Sequence, residues 1–350
     1  LQVFDDQGQL VDEWVSELGK SHIITKLTVG KEYTLVERLA ATGYLKAQDI
    51  KFVVEDYGDE FKVQEIQVMY DELVKGQIHV EKQGDVLTGI TKAEDGTIDF
   101  VYEKRALKGA TYEIYAAEDI KHPDGVSEDF YKKDDLVDTV TTGDRGTATS
   151  KELPLGKYYL VETQAPDGFV LNPERYEAEL TYKDQYTEIV TDEVTALNEK
   201  QNVEITAIKQ DKETHEYLEG AEFTLYNTED IRNADGEVIL EANTPIQVIT
   251  TGKDGKAKFT VNLPLGNYVV KETKPPKGYA TNEANKTVGI TVDASYKGQT
   301  ITVISSEVGF ENTPITFEFS KTDITDQSEI VGATLTVYEA DKDGHADKDK

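Results

Sequence analysis

Leu153-Pro-Leu-Gly156-Lys-Tyr158-Tyr-Leu160-Val-Glu162-Thr-Gln-Ala-Pro-Asp-Gly168-Phe169 decides how this chain folds, because it occurs three times. An earlier copy runs Gly30-Lys-Glu-Tyr33-Thr-Leu35-Val-Glu37-Arg-Leu-Ala-Ala-Thr-Gly43-Tyr44, and a later one Leu263-Pro-Leu-Gly266-Asn-Tyr268-Val-Val270-Lys-Glu272-Thr-Lys-Pro-Pro-Lys-Gly278-Tyr279. In each copy a Glu precedes a Gly by six residues, and the Glu positions 37, 162 and 272 are 125 and 110 residues apart. A fixed period of this size marks a tandem array of small domains. A second segment also recurs: Gly109-Ala-Thr-Tyr112, Gly220-Ala-Glu-Phe223 and Gly332-Ala-Thr-Leu335. A third opens each unit: Ile78-x-Val80-x-Lys82, Ile205-x-Ala207-x-Lys209 and Phe317-x-Phe319-x-Lys321.

Apolar residues in these runs alternate with period two and are rich in Val, Ile, Thr, Tyr and Phe, the signature of half-buried strands. Turns such as Asp95-Gly96, Gly143-Asp-Arg-Gly146 and Gly252-Lys-Asp-Gly255 separate them. Many short strands in units of this length predict an all-β chain of tandem antiparallel β-sandwiches. The expected divisions are the later part of a unit over 1–76, complete units over 77–201 and 202–313, and the opening part of another over 314–350. Both ends fall inside a repeat, so the sequence reads as a window on a longer array. The unit at 77–201 carries an insertion between Lys82 and Gly109, expected to be an extra hairpin. Linkers are nearly absent at Asn198–Val203 and Asn312–Ile315, which predicts a stiff array. Ala117–Ile120 and Thr228–Ile231 are helical for one turn at most.

Composition narrows the function. Among 350 residues, 37 Lys and Arg stand against 68 Asp and Glu, a net charge of -31, which repels nucleic acid and anionic lipid. There is no cysteine, so disulfides, thiolate metal sites and cysteine nucleophiles are excluded. No apolar run is long enough to span a bilayer. The five His are scattered, no metal or cofactor motif is present, and Asp341-Lys-Asp343-Gly344-His-Ala-Asp347 reads as a hairpin turn because its Gly falls too early for a calcium loop.

The charges that break the pattern carry the chemistry. Lys82, Lys209 and Lys321 fall on the apolar face of their strands, as do Glu37, Glu162 and Glu272. A buried charge is costly unless paired or neutralised, and the bland reading is a buried ion pair. The closing strands Val194-x-Ala196-x-Asn198 and Val308-x-Phe310-x-Asn312 place an Asn on the same kind of face, and Asp71 after Val68-Met69-Tyr70 takes that place in the first segment, one position out of register.

With these motifs the units resemble the CnaB-type, or SpaA-type, prealbumin-like domains of Gram-positive surface proteins and pilins, whose E-box pattern Tyr158-x-Leu160-x-Glu162-Thr-x-Ala-Pro166-x-Gly168-Phe169 closely matches. The resemblance covers nearly the whole chain. It implies a reverse immunoglobulin-like sandwich and a spontaneous isopeptide bond between Lys and Asn or Asp, assisted by Glu. It pairs Lys82 with Asn198 beside Glu162, and Lys209 with Asn312 beside Glu272. Glu37 and Asp71 form a set without its Lys, and Lys321 one without partners. The residue types suit the reaction: burial favours neutral lysine and protonated carboxyl, Glu polarises the amide carbonyl and carries a proton to departing ammonia, and folding supplies the proximity. The reaction happens once per molecule, so no enzyme is implied.

The expected function is the stalk of a bacterial cell-wall-anchored protein, outside the cell, touching its neighbouring repeats. The alternatives are a domain that binds a host or matrix protein, a pilin subunit, or a spacer attached to a secreted enzyme. Neither Tyr-Pro-Lys nor a Leu-Pro-x-Thr-Gly sorting sequence occurs in this stretch.

Overall fold

The computed structural model describes residues 1–56, 58, 65–281, 285–290 and 303–347. The remaining positions of the expected first, third and last segments, including 348–350, lie outside the described residues. Every regular element among the described residues is a strand, and the stretches at 117–120 and 228–231 are bends that lead into a bridge at Ile120 and a short strand at Ile231 rather than a helical turn.

The first segment holds β1 (Gln2–Phe4), β2 (Leu10–Glu13), β3 (Glu32–Val36) and β4 (Ile50–Val53) in one sheet of order β2-β1-β3-β4. Val3, Tyr33 and Leu35 form its small core, against which Trp14 and Met69 pack.

The second unit holds β5 (Lys75–Lys92), β6 (Ile98–Ala106), β7 (Thr111–Ala116), β8 (Leu136–Thr141), β9 (Thr147–Thr149), β10 (Leu153–Pro154), β11 (Gly156–Gln164), β12 (Arg175–Leu180) and β13 (Ile189–Asn198). One sheet has the order β12-β11-β7-β8, and the other joins β10, β5 and β13 with β9 and β6 alongside β5. Ile78, Val80, Tyr112, Ile114, Tyr158 and Leu160 interleave between them.

The third unit follows after three residues with β14 (Asn202–Asp211), β15 (Glu222–Asn227), β16 (Ile231–Arg232), β17 (Val238–Leu240), β18 (Pro245–Thr250), β19 (Lys256–Lys258), β20 (Gly266–Lys274), β21 (Asn285–Ile290) and β22 (Val303–Asn312). Its sheets, β18-β15-β20-β21 and β19-β14-β22, repeat the plan of the second unit.

Most pairings are antiparallel, but in both units the opening and closing strands lie side by side in parallel: β5 with β13 and β14 with β22. This junction brings the two ends of a unit together, which an antiparallel meander would not do.

Two expected strands are absent. Ile315–Lys321 joins no strand ladder, although the Ile315 amide donates to the Gly278 carbonyl at 2.8 Å, and Phe317 and Phe319 are exposed; the Gly332–Tyr338 segment is likewise exposed and outside any strand. A strand becomes stable when a neighbour satisfies its backbone and covers one face; in the complete units the opening strand leans on a closing strand, and among the described residues 315–321 has none. Residues 65–72, which contain Val68 and Tyr70, also form no strand. Asp341 accepts from the backbone amides of Asp343 and His345 at 2.9 and 2.8 Å, closing a tight turn between bridged Ala340 and Ala346.

Candidate functional site

Parallel pairing sets the geometry. Lys82 lies opposite Ala196 and Gly84 opposite Asn198, so Asn198 sits two residues beyond the position facing the lysine and on the same face. The third unit repeats this offset: Lys209 faces Phe310, and Asn312 faces Asp211. Glu comes from the opposite sheet. Glu162 in β11 stands across from Tyr112 in β7, and Glu272 in β20 from Phe223 in β15. Lys and Asn therefore project from one sheet toward a Glu on the other, inside the sandwich.

In the second unit Lys82, Glu162 and Asn198 are 1%, 2% and 5% exposed. Lys82 Nζ donates to Asn198 Oδ1 in a short contact and lies 3.2 Å from Glu162 Oε1. Asn198 Nδ2 donates to both Glu162 oxygens, at 3.0 and 2.9 Å. Tyr112 OH donates to Glu162 Oε1 at 3.3 Å, and the Asn172 amide to Oε2 at 2.8 Å. Burial lowers the Lys82 pKa, and Glu162 only partly offsets it. Burial also pushes the Tyr112 hydroxyl upward, with the Glu162 charge adding to it, so Tyr112 stays a donor.

The third unit is looser. Lys209, Glu272 and Asn312 are 0%, 7% and 2% exposed. Asn312 Nδ2 donates to Glu272 Oε1 at 2.9 Å, and Lys209 Nζ stands 3.6 Å from the same oxygen, an ion pair beyond good hydrogen-bond length. Lys209 Nζ and Asn312 Oδ1 are buried without a hydrogen-bond partner. Such orphans are costly and rare. Burial lowers the Lys209 pKa, partly offset by Glu272. Phe223, in the place of Tyr112, brings a ring tilted against that of Phe310, centroids 4.7 Å apart, and no hydroxyl.

One element of the expected chemistry is reversed in both units. The carboxyl was expected to polarise the amide carbonyl, but the amide nitrogen, the leaving group, faces it. A carboxylate only accepts hydrogen bonds, so it turns the NH2 side toward itself. Once it takes a proton from the lysine it becomes a donor that can reach an oxygen or the departing nitrogen.

Glu37 is 6% exposed, and its Oε2 accepts from the Ala47 amide at 2.7 Å, ten residues on, as Glu162 does from Asn172. Asp71 hydrogen-bonds Glu37, and burial, followed by the Glu37 charge, raises its pKa to about 6. Backbone bridges remove the one-residue discrepancy in its register. Phe169 pairs with Lys200, Tyr279 with Pro314 and Tyr44 with Leu73, in each case two residues past Asn198, Asn312 or Asp71. The E-box loop thus carries the Glu at its start and clamps the strand exit next to the Asn or Asp at its end. Lys321, expected on a core face, is exposed, and its backbone amide donates to Glu329 at 3.1 Å. The reason is the missing strand partner.

Gly146 and Gly255 do more than turn the chain between strands. Each ends a Gly-x-x-Gly turn with φ of 69° and 65°, and accepts the amide hydrogen of Lys82 or Lys209 at 2.7 and 2.8 Å. A β-carbon there would lie 2.7 Å from the Lys82 carbonyl oxygen or 2.6 Å from that of Lys209. The repeated turn at a fixed place in both units was the signal. Among the described residues no cluster of three or more His, Asp or Glu is arranged to hold a metal, and no helix is long and apolar enough to cross a membrane.

The family described as SpaA, prealbumin-like fold domain, matches residues 98–195 and 203–304, and the chain belongs to that family. The trypsin-resistant surface T6 protein of Streptococcus pyogenes serotype M6 is 31% identical over 109 residues, which span 28% of this chain and 18% of that protein. Among solved structures, the Bacillus anthracis TIE protein is 21% identical with a TM-score of 0.45, covering 90% of this chain and 49% of that one. The shaft pilin SpaA of Lactobacillus rhamnosus GG is 22% identical with a TM-score of 0.24, covering 70% and 100%.

Proposed function

We propose that this chain is a shaft segment of a Gram-positive surface protein, lying outside the cell, whose units lock themselves with Lys82–Asn198 and Lys209–Asn312 isopeptide bonds. The observation that carries this reading is the repeated buried triad: the same three residue types, in the same parallel-strand offset, with a depressed lysine in each. A pair kept only for stability has no need of an amide between its charges. Membership of the SpaA family supports it, as does similarity to a streptococcal protein named for its surface location and protease resistance.

In the reaction the lysine passes a proton to Glu, its neutral amine attacks the Asn Cγ, and the C–N bond to Nδ2 breaks. Glu delivers that proton to the departing nitrogen, which leaves as ammonia, and takes up the second proton that the attacking nitrogen sheds as the new amide forms. The balance is one amine and one primary amide giving one secondary amide and ammonia. Each site reacts once, so this is maturation and not enzymatic catalysis. Neighbouring repeats are the partners, and no cofactor takes part. A pilin subunit shares this shaft role and differs in how it is joined to its neighbours.

The mechanical consequence is testable by stretching single chains. Lys82 and Asn198 are 116 residues apart, and a bond between them leaves the second unit unable to lengthen, whereas an unlinked unit would release a step of roughly 40 nm. Absence of that step is expected; its appearance in the wild-type chain contradicts the shaft reading.

A further inference from the structure

We infer that the inserted hairpin of β5 and β6 is a brace: it seats in a socket on the third unit and completes that unit's core. Resting on the cross-link reading, it also delivers load from the third unit to the root of the Lys82 strand.

The hairpin belongs in sequence to the second unit, yet its apolar face is buried in the third. Ile98 and Phe100, 4% and 7% exposed, lie in one cluster with Val203, Ile205, Phe223 and Phe259, while Asp99 between them faces solvent. Leu87, Ile90 and Tyr102 pack against the same cluster. Polar contacts fix the seat. The Ala234 amide donates to the Leu87 carbonyl at 2.8 Å, and Tyr102 OH donates to the Asn262 carbonyl at 3.1 Å. Arg105 grips both Asp235 oxygens at 3.0 and 2.9 Å. At the joint, Lys200 Nζ donates to Asn202 and Asn262 at 2.8 and 2.6 Å and sits 4.5 Å over the Tyr102 ring.

A free two-stranded hairpin is marginal in water, so this one depends on its socket. The socket depends on it equally, because removing two large side chains from a shared cluster uncovers the facing wall. β5 is continuous: its parallel pairing ends at Gly84–Asn198, and hairpin pairing starts at Gln83–Ala106. The hairpin is therefore rooted beside Lys82. The third unit receives a brace but extends none, since Lys209 to Gly220 spans far fewer residues than Lys82 to Gly109.

Hydrogen exchange on the full chain tests this, with Phe100→Asp, the milder Phe100→Ala and the exposed control Asp99→Ala. In Phe100→Asp, exchange in Asn202–Asp211 and Gly266–Lys274 should rise about tenfold or more while Gly156–Gln164 of the second unit stays protected. Phe100→Ala should follow in the same direction, and Asp99→Ala should match wild type. Unchanged exchange in the third unit overturns the brace, as does an equal rise in both units. Ammonia loss from the second unit, read by mass on the same samples, reports the cross-link separately, so either idea can fail alone.

Discussion

Three side chains in each complete unit define the chemistry, and two of them were legible as violations of alternation. A lysine and a glutamate on the apolar faces of strands, repeated in register, marked the buried pairs of the two complete units, while Lys321 in the same register is exposed. The third, Asn, was legible only once the repeats were aligned. The sequence could not show which way the amide turns, because that depends on whether a carboxylate or a carboxylic acid faces it. Glu272→Ala removes the proton carrier. Its chain should retain the ammonia of the third unit and unfold there at lower denaturant, the lost loop closure being worth roughly 4–5 kcal/mol. Denaturant melts followed by mass-resolved hydrogen exchange would check it. Asp71 gives a pH prediction. Its folded pKa of about 6 lies above the usual carboxyl value, so the stability it contributes is full below that usual value and is lost as pH rises through about 6. Trp14, the single tryptophan, packs in the first segment and reports on it alone. Trp14 fluorescence melts from pH 4 to 8 should show wild type losing stability relative to Asp71→Asn; parallel curves contradict the assignment.

At the scale of elements, Ile78–Lys82, Tyr158–Glu162, Phe223–Tyr226 and Tyr268–Glu272 are strands as their alternation predicts. Ile315–Lys321 alternates just as well and is not one, because alternation describes a face and only a neighbour makes a ladder. Parallel pairing of opening and closing strands was hidden for the same reason: period two is identical in parallel and antiparallel sheets. The E-box loop and the Gly-x-x-Gly turns hold the reacting groups from outside their strands. Gly255→Ala combines a positive φ with a β-carbon 2.6 Å from the Lys209 carbonyl. It should slow cross-linking of the third unit and destabilise it by about 1–3 kcal/mol, while the Lys82 site reacts normally. A time course of mass loss after refolding compares the two sites within one chain.

At the scale of the whole molecule, the tandem plan was readable from the period of the Glu positions, whereas the joint between units was not. The insertion after Lys82 announced an extra hairpin but nothing about where its apolar face would go, since that partner lies more than a hundred residues away. With the hairpin seated, Ile98 and Phe100 of the second unit lie in the core of the third, while the second unit keeps a separate core of its own around Ile78, Tyr112 and Tyr158. The covalent claim stands at the centre of this account, and the intact mass of the 350-residue chain tests it most directly. The mass should fall below the sequence value by two ammonia molecules, and by only one in Glu162→Ala or Glu272→Ala. A wild-type mass equal to the sequence value would contradict it.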